Sequence, residues 1–363
     1  MKNTLGTSVA VTLFGESHGG GIGAVLDGMA PGIPVDPDFI AAQMAKRQGA
    51  PALSTARREP DAVRILSGVK DGVTTGTPIM LLIENTDTRS ADYAKMKTVV
   101  RPGHADYTAF CKYHGFADER GGGHFSGRIT AGLVAAGAIA LSALASRGIR
   151  IGTHIAACAG IRDRAFLDHE ADLSFLEQAE LAVLDREKGE EIIAAITAAR
   201  ADGDSVGGVL ETAVLGLPAG VGEPWFDTLE GVLAHALFSI PAVKGVEFGD
   251  GFALAEMRGS EANDPFRAEG GVIRTATNRA GGILGGISNG MPLTVRIAIK
   301  PTPSIAREQE SVDLSTGENA TLAVRGRHDP CIVHRAACVA DSTVALVLCD
   351  MLAQRFGTDW LKG

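Results

Sequence analysis

Residues 119–147 read ERGGGHFSGRITAGLVAAGAIALSALASR, and the change of character at Ile129 decides how the chain folds. From Ile129 to Arg147 the residues are apolar on nearly every helical face and rich in Ala and Leu. A helix of that kind has no side suited to water, so it belongs inside a core. Its most apolar part, Ile129–Ala145, reads as short for a membrane span and rich in Ala and Gly, so a core helix is the expectation rather than a bilayer segment. A second run of the same kind, Ala336–Phe356, closes the sequence pattern. Each helix is fed by a polar loop crowded with Arg and His: ERGGGHFSGR before the first, RGRHDPCIVHR before the second. Helix N-termini carry free N–H groups and the positive dipole end, so both junctions suit anions. The two loop–helix units suggest an internal duplication.

Working outward, alternating β-branched segments predict strands at Thr7–Phe14, Ala24–Leu26, Ala62–Ser67, Ile79–Glu84, Leu210–Leu215, Pro241–Phe252 and Leu293–Ile299. Short helices are expected at Asp38–Lys46 and Asp227–Phe238, and one or two amphipathic helices over Ala171–Arg200. Asn85–Gly127 reads as a long polar loop rich in Gly and Arg, and loops of that length inside a compact chain are usually functional. No linker or low-complexity tract interrupts the pattern, so residues 1–363 are expected to form one domain.

The chain carries a formal charge of −9, and aromatics make up only 5% of it. Nucleic acid and anionic membranes call for a basic footprint, so neither is expected as a partner. Against that acidic background the Arg-rich loops stand out: Arg47, Arg57, Arg58, Arg89, Arg101, Arg120, Arg128, Arg325, Arg327 and Arg335 nearly all fall in them. Guanidinium matches phosphate and carboxylate through its parallel N–H donors. Four of the nine histidines, His18, His104, His124 and His328, occupy the same kind of loop. No His or Cys spacing suits a metal, so none is expected. The five cysteines never form CxxC and read as reduced thiols; with no apolar leader at the N-terminus, the expected location is the cytoplasm. GGGHFSGRIT fails as a phosphate-binding P-loop, since Arg128 and Ile129 stand where Lys and Ser or Thr belong; GGGIGAVL lacks the third Gly of a dinucleotide fingerprint. The residues alone therefore point to a polyanionic small molecule and histidines that move protons.

Longer stretches carry a resemblance: GESHGGGIGAVLDGMAPGIPVD, RREPDAVRILSGVKDGVTTGTPIMLLIENTDTRSADY, RPGHADYTAFCKYHG, GEPWFDTLEGVLAHALFSIPAVKGVEFGDGF, AGGILGGISNGMPL, IKPTPSI and GRHDPCIVHRA. The chain resembles chorismate synthases from about Gly6 to Met351, most thinly between Ile149 and Val209. The resemblance implies an α+β fold, a single-domain sandwich of two antiparallel sheets around long apolar helices, assembled as a homotetramer. It also implies conversion of 5-enolpyruvylshikimate 3-phosphate to chorismate and phosphate by anti-1,4-elimination. Reduced FMN would be the cofactor, with NADPH a candidate reductant. By position, His18 would protonate the departing phosphate, His104 would sit at the flavin, and Asp329 would help take the C6 proton. Flavin contacts would come from His124, Phe125 and Ser126, Pro241 and Ala242, Gly285, and the run Lys300, Pro301, Thr302, Pro303 and Ser304, with Arg327. Arg47, Arg101 and Arg128 match positions near substrate or nicotinamide nucleotide. Where many members have Arg-Ser-Ser-Ala-Arg-Glu this chain has HFSGRI, and an Arg is missing near Ala52. Two alternatives stand beside the elimination: a non-catalytic flavin- or polyanion-binding relative, and a flavin-independent phosphatase.

Overall fold

The two apolar helices form as Thr130–Ser146 and Val333–Phe356 and pack directly against each other. Their contact is unusually close. A Cβ at Gly137 would sit 2.2 Å from Ser342 Cβ, so only glycine lets the backbones approach this far. Among the described residues, these are the two segments apolar and long enough to cross a membrane, and the core consumes them: 72% and 94% of the two windows are buried. The computed structural model describes residues 2–48, 53, 61–86, 98–324 and 329–363.

A five-stranded sheet covers each side. The first runs Thr4–Leu5, Ala10–Gly15, Gly21–Asp27, Ile79–Glu84, Val63–Ile65, antiparallel throughout. Ile22, Ala24 and Leu26 alternate into the core opposite Ile83, Leu81 and Ile79, which is why the register holds. This sheet packs on Thr130–Ser146, and a Cβ at Gly132 would meet the Gly23 carbonyl at 2.6 Å. The second sheet runs Val243–Phe248, Leu293–Ile299, Gly208–Leu215, Arg150–Cys158, Ile161–Arg162, also antiparallel. Val333–Phe356 lies against its two strands Arg150–Cys158 and Gly208–Leu215. The result is an α+β arrangement with antiparallel sheets on either side of a helical layer. Both halves follow the same path of strand, short helix, edge strand, inner strand and long helix: in the first the short helix is Pro37–Gln48, in the second Leu229–Leu237.

Several expectations need adjustment. The strand expected from Thr7 begins at Ala10, because the Ser8 and Val9 N–H groups donate to the Asp350 carboxylate (2.7 and 2.9 Å) instead of to a neighbouring strand. The strand expected to reach Phe252 ends at Phe248, where Gly249 and Gly251 turn into positive φ. The long polar loop holds a helix, Asp106–Tyr113. Arg150–Cys158 was not expected as a strand at all.

That strand buries a charged cluster. His154 Nδ1 lies 2.9 Å from Asp163 and Nε2 lies 3.1 Å from Glu211, with His154 and Asp163 fully buried. Burial disfavours the imidazolium, but the two carboxylates outweigh it and raise the His154 pKa. For Asp163, burial is outweighed by His154 and by the Leu184 and Asp185 N–H groups, so its pKa falls. The histidine's contribution to stability is present below about pH 6.5, its unfolded value, and is lost as pH rises through the higher folded one; the aspartate's is lost only as pH falls below about 4. Wild-type melting temperature is therefore expected to fall more between pH 6.5 and 8.5 than that of His154→Gln. His154→Ala should cost about 3 kcal/mol, the low end for breaking a buried pair, because Asp163 keeps two backbone donors. Parallel wild-type and His154→Gln curves in a calorimetric pH series would refute this.

Candidate active site

The turn after Ala10–Gly15 carries Glu16–Gly20 and with it His18, which is only 8% exposed. This turn is clasped by the glycine run of the loop that opens the first core helix. Ser17 N–H donates to the Gly123 carbonyl (3.1 Å), and His124 Nδ1–H donates to the Gly15 carbonyl (2.8 Å). Gly121, Gly122 and Gly123 all have positive φ, a path closed to most side chains. Two imidazoles pack against the run. A Cβ on Gly121 would fall 2.0 Å from His18 Cε1, and one on Gly122 would touch His104 Cε1 and Nε2 at 3.5 Å. His18 and His104 are far apart in sequence and meet here on neighbouring residues.

His104 stands in the turn Arg101–His104 that precedes the helix Asp106–Tyr113. Its Nδ1 lies 2.7 Å from Asp106 Oδ1, and Arg101 grips the same carboxylate through Nε (2.8 Å) and Nη2 (2.7 Å). Burial opposes the Asp106 charge, but hydrogen bonds from Arg101 and His104 hold its pKa well below the usual carboxylate range.

These groups open on a cleft of about 840 Å³. Arg101, His104, His124, Phe125 and Ser126 line it from the first half of the chain. Pro241 and Ala242, then Lys300, Thr302, Pro303 and Ser304, line it from the second. Ile129, Leu133, Phe238, Ile240 and Val243 supply apolar wall, and the starts of both long helices reach it through Thr130 and Ile332. Ala242 holds φ at 74°, a left-handed geometry rare for alanine, and its carbonyl accepts from Lys300 N–H (3.0 Å) where the adjacent strands slip register. Lys2, Lys244 and His235 also face the cleft. Sequence reasoning missed them; Lys244 was signalled only by its place beside Pro241 and Ala242.

Pro301 and Gly285 are not among the residues that line the cleft, and Gly285 lies in the turn between Ile283–Leu284 and Ile287–Ser288. Arg47, Arg128 and Asp329 join a second constellation. Arg47 and Arg128 pair with the two oxygens of Asp61, whose side chain is 1% exposed. Burial opposes the Asp61 charge, yet the two guanidiniums win and lower its pKa. Arg335 pairs with Asp329 and donates through Nε to the Arg47 carbonyl (2.8 Å). Arg128 Nε donates to Asn85 Oδ1 (3.1 Å), and Asn85 Nδ2 donates to the Glu16 and Gly19 carbonyls on either side of His18. A continuous polar chain thus links Asp329 to the His18 turn. Asp61 was not singled out from the sequence; its only signal was its place in RREPD. Arg57, Arg58, Arg89, Arg325, Arg327, His328 and the region of Ala52 lie outside the described residues.

The site combines paired imidazoles, fixed cations and an apolar wall, which suits proton transfer to and from a polyanion. The family model described as chorismate synthase matches residues 9–353. A chorismate synthase of Dehalococcoides mccartyi is 49% identical over 358 residues, 98% of each chain. One from Methanosarcina mazei is 47% identical over 349 residues, covering 96% of this chain and 95% of the relative. A crystal structure of chorismate synthase superposes with a TM-score of 0.77 at 31% identity, covering 98% of this chain and 94% of that one. The chain belongs to the chorismate synthase family and is accordingly a carbon–oxygen lyase acting on phosphates.

Proposed function

We propose that this chain converts 5-enolpyruvylshikimate 3-phosphate to chorismate and phosphate by anti-1,4-elimination, with reduced FMN held in the cleft. The observation that carries this reading is convergence: of the expected flavin contacts, His124, Phe125, Ser126, Pro241, Ala242, Lys300, Thr302, Pro303 and Ser304 line one cleft, and His18 and His104 pack against adjacent glycines of one run. The residues fit the cofactor. The cleft falls within the roughly 300–1,000 Å³ of small-molecule sites. It offers an apolar wall for a ring and Lys2, Lys244 and Lys300 for a phosphate.

Bound there, reduced FMN would supply an electron-rich ring that assists loss of phosphate without net oxidation. His18 donates a proton to the departing phosphate oxygen, which makes a poor leaving group acceptable. Asp329, held by Arg335, helps remove the C6 proton. His104 would sit at the flavin's polar edge and hold that edge's charge and protonation. Arg47, Arg101 and Arg128 keep fixed positive charge beside the trianionic substrate, where it stabilises developing negative charge. Because these arginines already bind Asp61 and Asp106, Lys2, Lys244 and Lys300 are the cleft's more open cations.

The repeated strand and helix path supports descent of the two halves from one duplicated unit within a single domain. Trp225 and Phe226, 84% and 95% exposed in the single chain, fit burial in a homotetramer. Light scattering of the purified chain would reject that assembly by giving a monomer mass.

Phosphate release from 5-enolpyruvylshikimate 3-phosphate under anaerobic conditions is expected only with reduced FMN; oxidised FMN alone should be silent. Release without flavin would reject the mechanism in favour of a phosphatase, and flavin binding without release would leave a non-catalytic relative. Adding NADPH and oxidised FMN to the same assay tests whether the chain reduces its own flavin.

A further inference from the structure

Asp106 is the first residue of the helix Asp106–Tyr113, and three of its contacts cannot all be simple hydrogen bonds. Oδ1 lies 2.7 Å from His104 Nδ1 and 2.7 Å from Arg101 Nη2, while Arg101 Nη2 also lies 3.1 Å from His104 Nδ1. Guanidinium only donates, so the last contact would need a bare lone pair on Nδ1. The Asp106 carboxylate is ionised, and a bare Nδ1 would then face a bare oxygen at 2.7 Å. That arrangement is repulsive. The proton therefore sits on Nδ1 and is donated to Asp106; Arg101 Nη2 donates to the same oxygen and is near Nδ1 only because the two share it.

We propose that Asp106 is a positioning residue that fixes His104 with its proton on Nδ1 and leaves Nε2 as the working atom at the cleft. Nε2 belongs to the ring edge beside Gly122, and His104 lines the cleft. The turn is pinned from the other half of the chain by Lys300, whose Nζ donates to the Gly103 carbonyl. Arg101 gives its backbone N–H (3.0 Å), Nε and Nη2 to Asp106, so on this reading that face of the guanidinium holds Asp106 rather than an anion. The kinetic consequence rests on the proposed elimination; the tautomer does not.

Asp106→Ala and Asp106→Asn in the full chain test this. Long-range ¹⁵N–¹H spectra of the flavin-free protein report which ring nitrogen of neutral His104 carries hydrogen, with His104→Gln giving the assignment. The wild type is expected to show Nδ1–H. Asp106→Ala should shift towards Nε2–H, and Asp106→Asn, whose carbonyl still accepts from Nδ1–H, should retain much of the original pattern. In the reduced-FMN assay Asp106→Ala should lower kcat by ~10- to 100-fold, the range for partners that orient a functional imidazole, with KM nearly unchanged and partial rescue in Asp106→Asn. Nε2–H in the wild type, or an unchanged tautomer in Asp106→Ala, would overturn the proposal whatever the activity. If Asp106→Ala fails to fold, Asp106→Asn and the wild type decide it: wild-type Nδ1–H with partial retention supports it, wild-type Nε2–H rejects it. A normal tautomer shift without loss of kcat would refute the catalytic half while leaving the elimination itself intact.

Discussion

Gly121→Ala is expected to lower phosphate release by at least ~10²-fold while the chain still folds. The new Cβ would stand 2.0 Å from His18 Cε1 and 2.1 Å from Nδ1, distances no real contact tolerates. His18 is buried, so its ring must rotate away from its working position. A general acid contributes about 10² to 10⁴ in rate, and a displaced one contributes little. The left-handed backbone adds a cost of about 1–2 kcal/mol, which lowers the melting temperature without abolishing folding. Gly122→Ala is the control. It meets the same backbone penalty at φ 86°, but its Cβ makes ordinary 3.5 Å contact with His104. Steady-state kinetics showing equal losses in both variants would mean that strain, not displacement of His18, accounts for the effect.

His18→Ala and His104→Ala should each lose at least ~10²-fold in kcat, but for separable reasons. His104 lines the cleft, whereas His18 packs against Gly121 and is not among the lining residues. His104→Ala is therefore expected to weaken FMN binding as well, whereas His18→Ala should bind flavin about as the wild type does. Flavin titration followed by single-turnover phosphate release distinguishes the two. Near-normal turnover in both variants would show that the proton-transfer roles are misassigned.

How much of this was legible in the residues varies with the kind of contact. Ile79–Glu84 and Leu293–Ile299 were readable to the residue, because both strands bury one face and their alternation survives. Arg150–Cys158 was not. Its buried positions include Thr153 and His154, which are satisfied by Thr212, Asp341, Asp163 and Glu211 from other elements. A strand whose inward residues are polar carries no hydrophobic period to read. The candidate site divides in the same way. His18, His104 and the Arg-rich loops stood out by chemistry against an acidic chain, while Asp61 and Asp106, the carboxylates that pair with Arg47, Arg128, Arg101 and His104, were not singled out.

From its sequence alone this protein had two buried helices, the strands with intact alternation, a cationic set of loops and the family those loops resemble. These are properties of local composition and spacing, which one chain segment carries by itself. Only the tertiary structure decided that the glycine run brings His18 and His104 to adjacent residues, that Asp61 joins Arg47 to Arg128, and that the two halves of the chain close on one cleft. Those facts depend on which groups come within a few ångströms after the helices and sheets pack, and residue spacing along the chain does not encode such distances.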